Sequence, residues 1–499
     1  MPTLKLKDSI LTSTEKCYTK FYTKQAVIKP RRARLLRKPP SQQQNGATGR
    51  ALENARRHHV AGDLPKAETL YRQILQTENN HPDALHLLGL IAYQIGKNDV
   101  ALNLITKALK SKPVFAKAHS NLGNVLKKMG QLERAVHHYH EAIAIEPDFA
   151  EAHSNLGLTL CELGQPKEAI DICRKAITIK PDFLEAYCNL GVALKELGRL
   201  DEAVTVYRQA LDIEPDHVES HYNLGTLFLE LERFEDAIAS YDLVHSVFSR
   251  SKTLECLYAL GRYEEFYQSL NKLIKGDKNN IRAAAISAFV SHQLCRPDPH
   301  PFCKKPLDFI RVYASPGKFG NDDQFLLRLA DILETTTTWE PTGKTTINGF
   351  QSPSNLFASP VGPLAELEIF IKDKINDYLR DFHTDDCDFI KLFPPQKTLR
   401  GWFVRLLKGG YQTEHIHPDG WLSGVFYLQV PNSGDKEEGS IEFSLWGYGY
   451  PILKDNYPKK RYYPQNGEII LFPSSLFHRT IPFHANENRI CISFDLIPT

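Results

Sequence analysis

The sequence predicts a multidomain chain: an all-α solenoid of repeated helix pairs, then a β-rich domain of the sandwich or jelly-roll kind with flanking helices. Three observations predict it. Small residues and prolines recur every 34 positions between Gly89 and Gly225. Short apolar runs separated by Gly, Pro and Asn dominate after residue 387. Trp339, Trp402, Trp421 and Trp446 all fall in the last third, so the two ends are built on different plans.

Length and charge set the bounds. A chain of 499 residues exceeds one ordinary domain. A net charge of +2 gives the body no global pull toward nucleic acid or membrane. The nine cysteines form no C-x-x-C pair, which reads as reduced thiols and a cytoplasmic compartment. No apolar run approaches the ~20 residues that span a bilayer. Residues 1–48 carry many Lys and Arg and only Asp8 and Glu15 as acids; they read as a basic, disordered tail, with organelle targeting as the alternative.

Residues 49–290 hold the repeats. Gly89, Gly123, Gly157, Gly191 and Gly225 keep the 34-residue step, as do Ala101, Ala135, Ala169, Ala203 and Ala237 and Pro113, Pro147, Pro181 and Pro215. Each unit reads as two helices: apolar residues recur at helical spacing from Glu151, Gly164 ends the first helix, and Pro181 breaks the chain after the second. The small residues mark close helix approach. The second glycine is lost at Glu232, and the register slips around Gly261. The pattern resembles the tetratricopeptide repeat, about seven units with the last degenerate, which implies a solenoid with a concave binding face.

Asn121, Asn155, Asn189 and Asn223 form a further column at the same step. An amide offers a donor and an acceptor, so such a ladder matches a peptide backbone regardless of sequence. The repeats of the O-linked N-acetylglucosamine transferase are similar here. The resemblance implies that a protein or peptide is held on the concave face. A surface asparagine inherited by duplication is the other reading of this column. His119, His153 and His221 read as polar residues of that helix face.

Residues 291–335 read as a connecting helical region, proline-rich at its start. Helices are expected over 322–334 and 363–382. Strands are expected over 387–393, 399–407, 422–430, 440–446, 467–473 and 488–497. Within this β domain, 336–499, lie His415, His417 and Asp419, with His478 about sixty residues on and Arg489 beyond. Positions i and i+2 of a strand point the same way, so H-x-H or H-x-D grips one ion and a distant histidine closes the face. Imidazole and carboxylate ligands with open positions suit non-haem Fe(II). On the last strand Arg489, Cys491 and Ser493 share one face. If that face lines a barrel, Arg489 is a buried charge that wants an anion, with Ser493 and Tyr427 able to add hydrogen bonds.

The segments H-I-H-P-D-G-W-L-S-G-V-F-Y from His415, Gly439-Ser-Ile-Glu-Phe, P-Q-N-G-E-I-I-L-F-P from Pro464, and His478 resemble the 2-oxoglutarate/Fe(II) oxygenase family, relatives of prolyl 4-hydroxylases and aspartyl/asparaginyl β-hydroxylases. The resemblance covers about residues 300–499. It implies a double-stranded β-helix with Fe(II), 2-oxoglutarate and O2 as reactants. His478 matches the distal histidine, and Arg489 matches the clamp on the distal carboxylate of 2-oxoglutarate. Where relatives carry H-x-D, this chain has H-x-H-x-D. Counting back from Leu422 favours His415, His417 and His478 as catalytic metal ligands; His417, Asp419 and His478 stay open as the other register. The expected function is hydroxylation of a protein or peptide recruited by the repeats. A non-catalytic scaffold with a decayed barrel, and an oxygenase of a small molecule or glycan, are the alternatives.

Overall fold

Glycines fix how the helices pair. In the computed structural model a Cβ on Gly157 would lie 2.3 Å from Cys173 Sγ, and one on Gly123 2.6 Å from Tyr139 Cε1. The same residue sixteen positions on meets Gly89 (Ile105) and Gly191 (Tyr207). No larger side chain fits without moving the partner helix. The structure describes residues 47–499 apart from 245, 315–322, 337–339, 342–344, 353–354, 433 and 435–436. The basic tail and Trp339 lie outside the described residues.

The chain divides into two compact units, up to Leu227 and from Phe228 onward. The division falls inside the array that the 34-residue period treats as one domain. In the first unit the helices run Ala47–Val60 (α1), Leu64–Thr77 (α2), Pro82–Gln94 (α3), Asn98–Ser111 (α4), Ala116–Lys128 (α5), Leu132–Ile145 (α6), Ala150–Glu162 (α7), Pro166–Ile179 (α8), Leu184–Glu196 (α9) and Leu200–Ile213 (α10). Val218–Glu230 (α11) crosses the division. Gly62, Gly96, Gly130, Gly164 and Gly198 turn the chain between paired helices at φ of +71° to +80°, and Glu232 is forced into the same region at φ +57°. A side chain there is strained, because the left-handed region crowds its Cβ.

A second periodic device closes the turns between repeats. His119, His153 and His221 donate through Nε2 to the carbonyls of Pro113, Pro147 and Pro215, at 3.1, 2.9 and 2.8 Å. Tyr187 does the same to Pro181 through its hydroxyl, at 3.1 Å. The histidine column therefore satisfies carbonyls orphaned where each repeat ends, a role the sequence pattern leaves unassigned.

The second unit begins with Phe234–Asp242 (α12), Val247–Ala259 (α13), Tyr263–Gly276 (α14) and Ile281–Gln293 (α15). Asp323–Thr336 (α16) and Pro363–Asp381 (α17) follow the expected helices closely. The stretch expected as a strand at 387–393 instead contains a single helical turn, Asp388–Lys391 (α18). Its Phe389 N–H donates to Phe302 O at 2.8 Å and its ring packs with Phe302 and Trp421, so burial of one aromatic rather than period-two alternation sets this segment.

Among the described residues, ten strands complete the unit: Arg311–Tyr313 (β1), Glu340–Pro341 (β2), Thr346–Gln351 (β3), Lys397–Gln412 (β4), Leu422–Gln429 (β5), Ile441–Ser444 (β6), Lys459–Tyr462 (β7), Ile469–Pro473 (β8), Phe477–Thr480 (β9) and Arg489–Pro498 (β10). Seven form an antiparallel sheet in the order β1-β8-β5-β10-β4-β3-β2, and three form β7-β6-β9. Alternation splits the larger sheet between two cores. Phe403, Phe426, Leu471, Ile492 and Phe494 join Leu367 and Ile371 of α17. Val404, Val425, Tyr427, Ile470, Phe472 and Cys491 face Ile441 and Phe443 of the smaller sheet. The second core is the inside of a jelly roll, and β10 presents Arg489, Cys491, Ser493 and Asp495 to it.

Candidate metal centre

Strand register brings His415 to His478. Each donates its backbone N–H to the other's carbonyl at 3.1 Å, an isolated antiparallel bridge. His417 is tied separately, its N–H on Ser474 O at 3.1 Å. The ring centroids lie 4.3 Å (His415–His478), 4.9 Å (His417–His478) and 5.3 Å (His415–His417) apart. All three residues are 6–8 % exposed. Their ligand-capable atoms lie within 4.8 Å of one another, and among the described residues this is the only such group of three or more. His292, Cys295, His300 and Cys303, the four zinc-ligand residue types clustered at irregular spacing in the connecting region, do not make such a group.

The hydrogen bonds decide which nitrogens are left. His415 Nδ1 donates to Thr413 O at 2.7 Å and His478 Nδ1 to Leu476 O at 3.1 Å. His417 Nδ1 bonds the carboxylate of Asp495. With Nδ1 engaged on an acceptor, the neutral form of each ring carries its lone pair on Nε2. Burial, with His417 adding to it, drives His415 down to about 3. Burial, then His415 and His417, holds His478 well below the usual imidazole range. Imidazoles with free Nε2 lone pairs are the ligand form that a borderline cation takes.

The sequence pattern does not single out Asp495, although the parity that turns Arg489 and Ser493 inward also covers it. It lies behind His417, and Ser423 Oγ donates to it at 2.8 Å while standing 2.8 Å from Ser474 Oγ. Gly420 leaves room for this cluster, since a Cβ there would meet Ser474 Oγ at 2.6 Å. Asp419 lies outside the histidine group. The Gly420 N–H returns to His417 O at 3.0 Å, so a turn ends strand parity at Pro418 and Asp419 does not continue the H-x-H face.

Arg489 is 2 % exposed and its hydrogen-bond partners among the described residues are neutral: Gly439 O at 3.1 Å, Tyr427 Oη at 3.3 Å and Cys491 Sγ at 3.6 Å. Burial holds the Tyr427 phenol above its usual range despite Arg489, so the Tyr427 hydroxyl stays protonated. Ser493 is buried on the same face, opposite Trp402 and Val425. Around the histidines stand Phe472 (4.7 Å from the His478 ring), Trp402 (5.4 Å from His417) and Phe443 (6.2 Å from His478). Outside them, Arg479 joins Glu414 at 2.7 Å and Glu442 at 2.8 Å, bracing the residues next to His478 and His415.

In the solenoid the asparagine column is partly committed to the fold. Asn121 Nδ2 donates to His86 Nε2 at 2.8 Å, and Asn189 Nδ2 to Ser154 Oγ at 2.9 Å. Both partners lie 35 residues earlier, so these amides stitch repeat to repeat. Asn223 has Cys188 at that position, a poor acceptor, and its Nδ2 is buried with no hydrogen-bond partner among the described residues. Asn155 is half-buried.

Geometry and repeats thus define a helical-repeat protein ending in a jelly roll that holds a buried histidine triad. Residues 400–495 match the family model described as "Putative 2OG-Fe(II) oxygenase". Tetratricopeptide repeat models match 52–126, 123–164, 150–183, 172–205 and 193–232. The chain therefore carries tetratricopeptide repeats followed by a domain of that oxygenase family. Among solved structures, the crystal structure of MamA protein is similar at 28% identity, covering 34% of this chain and 92% of that one, with a TM-score of 0.30. YrrB, titled a TPR protein with an unusual peptide-binding site, is 22% identical over 35% and 90%, at 0.30. TTC0263, a thermophilic TPR protein of Thermus thermophilus, is 23% identical over 37% and 100%, at 0.32. No helix among the described residues is long and apolar enough to cross a membrane.

Proposed function

We propose that the β domain is a 2-oxoglutarate- and Fe(II)-dependent dioxygenase and that the repeats recruit the protein or peptide it hydroxylates. One observation carries the reading: three buried imidazoles with every Nδ1 engaged converge, and the strand that braces one of them also buries a guanidinium whose hydrogen-bond partners among the described residues are neutral. The donor set fits Fe(II), because nitrogen ligands on one face leave the other positions open. His415, His417 and His478 are the assigned ligands, and Asp419 is left out of the set.

When bound, Fe(II) supplies the activation of O2, with 2-oxoglutarate as the two-electron donor. The chain's own residues do the rest. Asp495 fixes the tautomer and direction of His417. Arg489 takes the distal carboxylate of 2-oxoglutarate, with Tyr427 beside it and Ser493 farther along the same strand face. Phe443, Phe472 and Trp402 keep water from the ligand face. On the solenoid, half-buried Asn155 is the amide of the column assigned to a peptide backbone; Asn121, Asn189 and the buried Asn223 belong chiefly to the fold.

Anaerobic titration should give about one Fe(II) per chain, with succinate formed from 2-oxoglutarate once O2 is admitted. His478→Ala should abolish both. Arg489→Ala should keep iron but weaken 2-oxoglutarate binding by roughly 2–5 kcal/mol. Full iron affinity and turnover in His478→Ala would remove the centre. A +16 mass shift in proteins captured by the full chain identifies the substrate, and a shift found only on small molecules moves the repeats to assembly.

A further inference from the structure

Lys252 and Glu255 on α13 and Arg282 on α15 are buried together, at 1, 7 and 3 % exposed. Glu255 accepts from Lys252 Nζ at 3.2 Å and from Arg282 Nε. Two cations against one carboxylate is a costly arrangement inside a protein. Burial first, and Arg282 second, drive Lys252 down to about 8. Such a cluster is better accounted for by what it holds than by what it adds to stability.

It holds a loop of the jelly roll. The Arg282 guanidinium lies 4.3 Å from the centre of the Tyr448 ring, and Lys252 Nζ 5.8 Å from the same ring. Tyr448 lies in the β6–β7 connection at φ +49°, a backbone state that a tyrosine keeps only under constraint. Farther along the loop, Tyr450 packs on Phe289 of α15 at 5.7 Å. Tyr258 Oη donates to Pro451 O at 2.8 Å. Gln293 Oε1 accepts from Leu453 N and Lys454 N at 2.8 and 2.7 Å, and its Nε2 donates to Lys454 O at 3.0 Å. Helices α13 and α15 thus read this loop by ring and by backbone.

On its other side the loop bears on Phe477. Tyr448 and Tyr450 meet that ring edge-on at 5.0 and 5.7 Å. Gly447 is so close that a Cβ would stand 2.0 Å from Phe477 Cδ1. Phe477 immediately precedes His478 on β9, and strand alternation sets its ring on the opposite face from the imidazole. A shift of Phe477 therefore moves the backbone through which His478 pairs with His415.

We propose that Arg282 is a positioning residue for the histidine centre, acting through Tyr448 and Phe477 on His478. The proposal rests on the reading of His415, His417 and His478 as metal ligands. It assigns α13–α15, helices the repeat pattern gives to the solenoid, a part in holding the oxygenase site.

Anaerobic Co(II) titration of the full chain tests it, read by affinity and by the d–d absorption band, with far-UV circular dichroism as the fold control. Arg282→Met leaves Glu255 paired with Lys252, so the cluster does not keep an unpaired carboxylate. Arg282→Met and Tyr448→Leu should weaken Co(II) binding tenfold or more and shift the band at unchanged dichroism. Tyr448→Phe, which keeps the ring, should bind as the natural chain does. Gly447→Ala perturbs Phe477 without touching Arg282 and should weaken binding as well, which keeps the test open should Arg282→Met not fold. Natural affinity and band in both Arg282→Met and Gly447→Ala, while His478→Ala loses Co(II), would overturn the positioning role alone. Natural binding in His478→Ala would overturn the metal reading beneath it.

Discussion

Replacing Asp495 isolates the carboxylate of the centre. Its Oδ1 takes the His417 Nδ1–H and the Ser423 hydroxyl, in a cluster closed by Ser474. Asp495→Asn keeps an acceptor oxygen but removes the charge behind His417. Asp495→Ala removes both, and leaves the His417 N–H only the Ser423 hydroxyl, 3.0 Å away, as an acceptor in a dry site. Carboxylates behind ligating histidines carry about 10- to 100-fold in metal affinity. The Asn change should therefore cost about tenfold and the Ala change about a hundredfold, ~1.4 and ~2.7 kcal/mol. Asp419→Asn, at a residue outside the histidine group, should stay within about twofold. Anaerobic Fe(II) titration against a competing chelator reads all three. Unchanged affinity in both Asp495 variants would refute the orienting role. A larger loss at Asp419 than at Asp495 would restore the His417–Asp419–His478 register.

Three further outcomes concern the repeats. Asn189→Ala should destabilise the chain by about 1–2 kcal/mol, because the amide bonds buried Ser154, and urea unfolding measures it; no loss would deny the stitch between repeats. Glu232→Gly should raise stability by roughly 0.5–1 kcal/mol in the same assay, since an exposed side chain leaves a left-handed backbone; a loss instead would show that a contact of the Glu232 side chain outweighs the strain. His86 is held down to about 4 chiefly by burial. A base with a lowered folded value contributes fully above its unfolded value near 6.5, and that contribution drains as the pH falls toward 4. The loss should reach roughly 2–3 kcal/mol by about pH 4, and His86→Asn should flatten this part of the stability–pH curve; an identical curve in the variant would place the acid sensitivity elsewhere.

The sequence by itself determined the two architectures and most of the centre's components. A 34-residue period in Gly, Ala and Pro is a packing requirement repeated, and small residues have few other reasons to recur so strictly. Strand parity at i and i+2, a local rule, put His415 and His417 on one face and Arg489 on the face of Cys491 and Ser493, while the resemblance to the oxygenase family marked His478. Tertiary structure alone decided what depends on partners far apart in the chain. It ended the parity at Pro418 with a turn, leaving Asp419 outside the histidine group, and brought Asp495 behind His417 across 78 residues. It committed Asn121 and Asn189 to neighbouring repeats, since an amide bonds whichever acceptor the stacking brings near and the acceptor 35 residues earlier changes from His to Ser to Cys. It turned 387–393 into a helical turn because burying Phe389 against Trp421 outweighs the β propensity of a short apolar run. Periodicity records what a residue needs from its own helix or strand; which distant group meets it is settled only when the elements pack.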